Sequence, residues 1–402
     1  MKVTIKPVES RDELRRALDL MSAAHIVNGD LATKHWLEEC SWRYPAFRPE
    51  HTRVAVRKGE VLGALHLTTD TVRIGEARLK MGGLGWVATS ERHRKRGIGR
   101  KLIEETMAYM REHGYHVSML FGIPNFYHRF GYVSALVDYT ILMDTSEART
   151  FENPFKAHLA TPGEIPLIQK MHSANDSNSV CSMVRTAAHL HNKWGRWNKW
   201  RLLKDDQGKA VAYLYAIVER GMLYVTEAGV SEPGVCAAVV REAARIAHAE
   251  EIAHIRFCVP PAHPLARFLS QFNSTHEARI DHDAGGMMAF INVAETLESM
   301  VPEWDSLLSK SVARELRTEF TLVLAKSAYR VRANRGAIDV STTPGACKIG
   351  LKNGDLMHLV TGYRHPGDVL DERRCIMTAD ARTLFHTIFP KRNPYVWRFD
   401  RF

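Results

Sequence analysis

Hydrophobic and polar positions predict alternating strands and helices from the start of the chain. Val3 and Ile5 alternate with polar neighbours as in a strand, and a helical pattern follows from about Asp12. Positions 53–57 and 61–68 read as strands joined by the turn Lys58-Gly59-Glu60, and 84–88 as a short strand. Leu102, Ile103, Thr106, Met107 and Met110 recur at helical spacing, and His113-Gly114 closes that helix with glycine at its C-terminal boundary. Positions 117–123 are apolar enough for a central strand.

A similar order returns from about residue 151: strands at 209–218 and 222–230, a helix at 235–248 and a strand at 255–259. The closing segments MLFGIPNFYHRF and IRFCVPPAHPLARF both run from an apolar strand through proline to a short polar stretch ending in Arg-Phe. This predicts a duplicated unit. From about residue 291 the character changes to a small α+β unit. It has a helix at 295–308, strands at 320–324, 329–333 and 337–341, and a helix after Thr378 that stops at Pro390. The turns there are Lys326-Ser327-Ala328 and Asn334-Arg335-Gly336.

Composition narrows the class. With 402 residues, 45% hydrophobic and 25% charged, the chain is an ordinary globular protein long enough for two or three domains. No apolar run approaches the roughly 20 residues of a membrane span, and the N-terminus has no apolar leader, so a cytoplasmic protein is expected. The cysteines Cys40, Cys181, Cys236, Cys258, Cys347 and Cys375 are scattered with no C-x-x-C pair, which predicts reduced, mostly buried thiols.

Charge is uneven. The net value is +10, and six of the ten positions 92–101 are Arg or Lys. They belong to WVATSERHRKRGIGRKL, residues 86–102, which sets Arg94-x-x-Gly97-x-Gly99 between a strand and an amphipathic helix. Glycines let backbone N–H groups at a helix N-terminus close on an anion, and the flanking cations add charge, so the pattern suits a pyrophosphate. It is neither a Walker loop nor the dinucleotide G-x-G-x-x-G pattern.

At these residues the chain resembles the GNAT acetyltransferases, whose acyl-CoA loop reads R/Q-x-x-G-x-G/A. LFGIPNFYHRFGY, residues 120–132, is similar to the F-Y-x-R-F-G stretch of the Eis (enhanced intracellular survival) branch, and the aromatic end Trp397-Arg398-Phe399-Asp400-Arg401-Phe402 fits the same branch. The resemblance implies an α/β (α+β) fold: a catalytic GNAT domain at 1–150, a degenerate second one at 151–290, and a sterol-carrier-protein-like domain at 291–402. It implies a homo-oligomer, a hexamer in that branch, using acetyl-CoA to acetylate a primary amine of an aminoglycoside-like small molecule or a lysine side chain. No metal is implied.

The implied cofactor residues are Trp86, Val87, Ala88, Thr89, Arg94, Lys95, Arg96, Gly97, Ile98, Gly99, Gly122 and Ile123. Tyr127 takes the position of the acid that protonates the leaving thiolate. A phenol near pKa 10 keeps its proton at neutral pH and lies above a thiol near 8.5. The carboxylate of Phe402 takes the position of the base, buried or acting through water. Arg401, beside it, and the basic net charge bear on whether a polycationic acceptor is used.

The second unit has Ser231-Glu232-Pro233-Gly234-Val235 where the first has its basic loop, and Leu265 opposite Tyr127 when Arg129 and Arg267 are aligned. It is expected to be a structural wall of the cleft. Trp194, Trp197 and Trp200, interleaved with Lys193, Arg196, Lys199 and Arg201, fit one buried helix face better than a nucleic-acid surface. His189-Leu190-His191 and Asp281-His282-Asp283 lack a complete metal-ligand set. The alternative reading is a lipid- or sterol-binding carrier module with a vestigial acetyltransferase domain.

Overall fold

In a computed structural model, which describes residues 3–25, 48–193 and 199–402, three sheets divide the chain. Cys40, Trp194, Arg196 and Trp197 lie outside the described residues. The first sheet begins with β1 (Thr4–Pro7), β2 (Thr52–Arg57), β3 (Glu60–Ile74), β4 (Ala77–Thr89) and β5 (Val117–Gly122), side by side in that order. β1 to β4 are antiparallel neighbours, whereas β4 and β5 are parallel. The β2–β3 turn puts Lys58 and Gly59 at φ 51° and 76°, the backbone that a two-residue hairpin of matching twist requires.

Two helices cover opposite faces of this sheet. Helix α1 (Arg11–His25) buries Leu14, Ala17, Leu18 and Met21, a stripe of helical spacing, against Val54, Ala64 and Ala88. Helix α2 (Ile98–Glu112) buries Leu102, Ile103, Met107 and Met110 against Leu65, Leu67, Leu84 and Leu120. β4 extends well beyond the predicted 84–88 because Gly82 and Gly83 continue it where side chains would not fit. A Cβ on Gly82 would lie 2.2 Å from Met110 Sδ on the α2 face, and one on Gly83 2.5 Å from Phe402 Cζ on the other.

The second sheet repeats the local order of the first. Strands Trp200–Lys204, Ala210–Glu219 and Met222–Val230 are antiparallel, the helix Cys236–Ala249 follows, and strand His254–Phe257 pairs in parallel with Met222–Val230. The sheet boundaries do not fall at 150 and 290. Strand Asp138–Asp144 belongs to the second sheet, and Val180–Met183 and Gly285–Phe290 belong to the first. Trp200 corrects the expected tryptophan helix: it is fully buried on a strand, and the helix before it is His189–Lys193.

The third unit packs the sheet of Arg317–Leu324, Ser327–Asn334, Ala337–Ser341 and Lys348–Gly350 against helices that include Val301–Ser309 and Ala379–Ile388. The single helix expected at 295–308 is two, Val293–Ser299 and Val301–Ser309, since Pro302 in the first turn of the second has no N–H to continue the ladder. Trp304, Phe320, Phe385 and Phe389 meet edge to face at its centre, in one core with Leu79 and Met81 of β4.

The last ten residues cross from this unit over the second sheet to the first. Tyr395 donates its hydroxyl to the Cys258 carbonyl at 2.8 Å, and Trp397 Nε1 donates to Asp176 at 2.9 Å. Trp397 sits edge-on to His172 and His263, and Phe399 packs on Trp200. Cys181, Cys236 and Cys258 are buried free thiols, Cys347 and Cys375 half-buried ones. Among the described residues no helix is long and apolar enough to cross a membrane, and no group of three or more His, Cys, Asp or Glu could hold a metal.

His263 gives the fold a pH dependence. Burial pushes its imidazole down to about 3, so the folded protein keeps it neutral while the unfolded chain takes a proton near 6.5. Proton uptake below 6.5 therefore favours unfolding, and each tenfold difference in proton affinity is worth about 1.4 kcal/mol. The melting temperature should be insensitive to this group above about pH 6.5 and fall as the pH drops from there toward 3. Thermal unfolding at fixed ionic strength checks this, and a constant melting temperature down to pH 4 would contradict it.

Candidate active site

The site opens where β4 and β5 part. They pair only at Met81–Val117, Gly82–Ser118 and Gly83–Met119. β4 then continues to Thr89 along β3, and β5 to Gly122 along Gly285–Phe290. Each strand keeps its outer partner, while the facing edges beyond Gly83 and Met119 have no strand pairing between them. Trp86, at φ 56°, marks a bulge in β4 within this opening, where the register against β3 shifts. Trp86, Val87, Ala88 and Thr89 thus form one wall.

The basic loop closes the end of that wall. A 3-10 turn, Glu91–His93, leads to Arg94, and Lys95 and Gly97 take left-handed conformations at φ 61° and 76° before α2 begins at Ile98. The first turn of α2 holds no acidic side chain. Arg92, Arg94, Lys95, Arg96, Arg100 and Lys101 are exposed, and a Cβ on Gly97 would meet open space. Ile98 is buried and anchors the loop, so only its backbone could face a ligand. A helix N-terminus with left-handed residues before it, cationic flanks and no carboxylate in its first turn fits a pyrophosphate, and the one loop carboxylate, Glu91, pairs with Arg94 at an exposed 3.6 Å.

Tyr127 stands on the opposite wall. It opens the 3-10 turn Tyr127–Phe130 after Asn125 at φ 59°, and its ring covers Gly122, where a Cβ would lie 2.5 Å from Cδ2. Phe126 joins the walls: its ring meets Tyr127 edge-on at 4.9 Å, and a Cβ on Gly99 would be 3.8 Å from its Cζ and 3.7 Å from Thr89 Oγ1. Burial raises the Tyr127 phenol above its ordinary value, so it holds its proton at neutral pH. Tyr132 is a packing residue, fully buried and bonded to Ser118 Oγ at 2.6 Å. Ile123 is exposed at the mouth.

Phe402 arrives from the far end of the chain. Its ring covers Gly83 and meets Phe121 edge-on at 5.9 Å, and its main-chain carbonyl carbon lies 3.2 Å from where a Cβ of Gly85 would be. Arg401 stacks on Phe121 at 4.6 Å and is ion-paired with Asp138. Tyr127 and Phe402 therefore flank the same opening, from Gly122 on one side and from Gly83 and Gly85 on the other.

Sequence reasoning missed two features. His66 pairs with Gly85 across β3 and β4, and burial takes its imidazole down to about 4, so it is neutral at the chain end. A polar residue inside the apolar run VLGALHL was its signal. The second is the buried Arg185, which reaches both Glu227 and Asp400. No local pattern announces it. In the second unit, Ser231–Val235 does occupy the strand-to-helix position without cations, and Asn175 fills the strand edge there. Its side-chain amide donates to the Val230 carbonyl at 2.8 Å and accepts from the Val230 N–H at 2.7 Å.

Comparison with known proteins bears on the fold. Residues 4–135 match the model of the acetyltransferase (GNAT) domain family. The chain superposes along its full length on the full length of a GCN5-related N-acetyltransferase from Anabaena variabilis ATCC 29413, with TM-score 0.75 at 16% identity. A GCN5-related N-acetyltransferase from Kribbella flavida gives 0.75 at 15%, and Eis1 from Mycobacterium abscessus 0.65 at 14%, each with 100% of both chains covered. No curated protein matches the chain in sequence. At these identities the likeness is one of fold: a mixed α+β, GNAT-like architecture.

The close approach at Gly83 is testable. Gly83→Ala places a methyl against the Phe402 ring and Thr68 Oγ1, and such overpacking typically costs about 1–3 kcal/mol. Phe402→Ala in the same chain should recover part of that loss, because the ring is one of the two groups the methyl strikes. Chemical denaturation of the two single variants and the double reads the coupling, and strict additivity would show that the ring does not rest there.

Proposed function

We propose that this protein is an acetyl-CoA-dependent N-acetyltransferase that acts by direct attack of a primary amine in a ternary complex. The observation that carries the reading is the convergence of a protonated tyrosine and the Phe402 end of the chain on one strand opening, which a basic glycine loop borders. The backbone N–H groups of residues 95–99 would hold the pyrophosphate, with Arg94, Lys95 and Arg96 around it. The edge of Trp86–Thr89, which has no strand pairing to β5 and faces Gly122 and Ile123, would receive the pantetheine arm beside the Val87 carbonyl that His25 Nε2 reaches at 3.1 Å. The thioester supplies an activated acetyl group.

The protein's own residues then handle protons. Where Phe402 is the last residue, its carboxylate beside Gly85 takes the proton that the amine loses on attack. Tyr127 donates its proton to the departing sulfur, and a phenol raised by burial remains protonated until that moment. The acceptor is an amine of an aminoglycoside-like small molecule or of a lysine side chain. Arg401 bears on that choice, although its ion pair with Asp138 offsets part of its charge.

In the same reading the chain comprises a catalytic GNAT domain, a degenerate one and a sterol-carrier-like domain, and works in the cytoplasm as a homo-oligomer, a hexamer by resemblance. The carrier alternative separates from this by experiment. Acetyl-CoA at 100 times its dissociation constant should stabilise the fold by about 2.7 kcal/mol. A thermal shift with fatty acid or sterol alone, and none with millimolar acetyl-CoA, would favour the carrier.

Two variants address the acid and the base. Tyr127→Phe should keep the acetyl-CoA shift and lower thiol release by about 10²–10⁴-fold; wild-type turnover would remove Tyr127 from the mechanism. One residue added after Phe402 moves the carboxylate by about 3.5 Å, beyond hydrogen-bonding reach of its former position. That chain should bind acetyl-CoA and turn over poorly, and full activity would assign the base elsewhere.

A further inference from the structure

Asp400 is a carboxylate two residues before Phe402, yet it is buried. Arg185 Nε donates to its Oδ1 at 2.9 Å and Nη2 to its Oδ2 at 3.0 Å. The same guanidinium donates from Nη1 and Nη2 to the two oxygens of Glu227, at 2.7 and 2.6 Å. All three side chains are at most 1% exposed. His189 Nε2 lies 2.9 Å from Asp400 Oδ1, and Tyr213 donates its hydroxyl to Glu227.

The three members come from three parts of the molecule. Arg185 follows strand Val180–Met183, which pairs with β3, and the Val184 N–H bonds to the Thr71 carbonyl at 2.8 Å, so its backbone is tied to the first sheet. Glu227 lies on strand Met222–Val230 of the second sheet. Asp400 is on the terminal segment. A planar guanidinium offers donors in a fixed fork, and holding two carboxylates at once sets their relative position more tightly than two separate lysine pairs would. Two residues of chain span at most about 7 Å, so fixing Asp400 confines Phe402 to a small region. That region is the surface of Gly83 and Gly85.

We propose that Arg185 is a positioning residue for the chain end: by gripping Asp400 against Glu227 it sets Phe402 at the strand opening. The inference rests on the acetyl-transfer reading for its consequence in turnover, but the placement itself can be read without any reaction. Arg401, the one intervening residue, is itself held by its pair with Asp138 and its stacking on Phe121.

The test uses Asp400→Asn in the full chain, which leaves the Arg185–Glu227 pair intact, together with Arg185→Met. Should Arg185→Met fail to fold, Asp400→Asn alone decides. Hydrogen exchange followed by mass spectrometry should show residues 398–402 exchanging at least tenfold faster, with β4 and α2 unchanged. The dissociation constant for acetyl-CoA should stay within twofold while kcat for thiol release falls at least tenfold. In a chain already extended by one residue after Phe402, Asp400→Asn should change kcat by less than twofold, because the end it would place is already displaced.

Wild-type exchange at 398–402 overturns the proposal, whether or not any amine is acetylated. Faster exchange with unchanged kcat overturns the link between placement and transfer. If no amine is acetylated by the parent protein, the acetyl-transfer reading fails, and the exchange result still decides the placement.

Discussion

Two parallel strands that start in register and then diverge leave backbone N–H and C=O groups facing one another across a gap. Buried amide groups without partners are costly, so such a gap must be filled by water, ligand or protein. The divergence of β4 and β5 beyond Gly83 and Met119 is that constraint. The paired glycines mark its apex. Gly82 admits Met110 of α2 on one face and Gly83 admits the Phe402 ring on the other, so the helix behind the sheet and the chain end in front of it are fixed at one point.

The second sheet meets the same constraint with protein. Strand Met222–Val230 pairs in parallel with its neighbour only at Leu223, Tyr224 and Val225, then runs on for five residues. Asn175 takes up both backbone groups of Val230, Tyr395 takes the Cys258 carbonyl, and Trp397 fills the space beside His172 and His263. The terminal segment that plugs this opening continues to the other one, where Phe402 reaches Gly83 and Gly85. The two openings thus differ in what occupies them more than in how the strands run.

Charge is distributed to match. The exposed cations of residues 92–101 face solvent at a helix N-terminus, where an anionic ligand is favoured. Arg185 is buried and spends its charge on two carboxylates. Among its partners, burial alone would raise the Glu227 carboxyl, but the Arg185 guanidinium and His172 hold it below the usual carboxylate range. Removing either member of such a group strands the other charge in the interior, which is why a buried pair defines position even where it adds little net stability.

The features legible in the sequence are those carried within a few residues of chain. The alternation of β1 to β3, the α2 stripe closed by Gly114, the basic glycine loop and the repeated strand–loop–helix order each follow from local periodicity or backbone preference, and each is present. Pro302 was visible too, but the apolar pattern ran through it and hid the break between two helices. Tertiary structure alone decided the rest. It placed Asp138–Asp144 in the second sheet and Gly285–Phe290 in the first, set Trp200 on a strand, brought His66 to Gly85, and joined Arg185 to Asp400 across 215 positions. A contact between residues so far apart imposes no period on the chain between them. Its members look, in sequence, like any other arginine and aspartate, and it exists because the first sheet, the second sheet and the terminal segment meet at a buried place where both are satisfied.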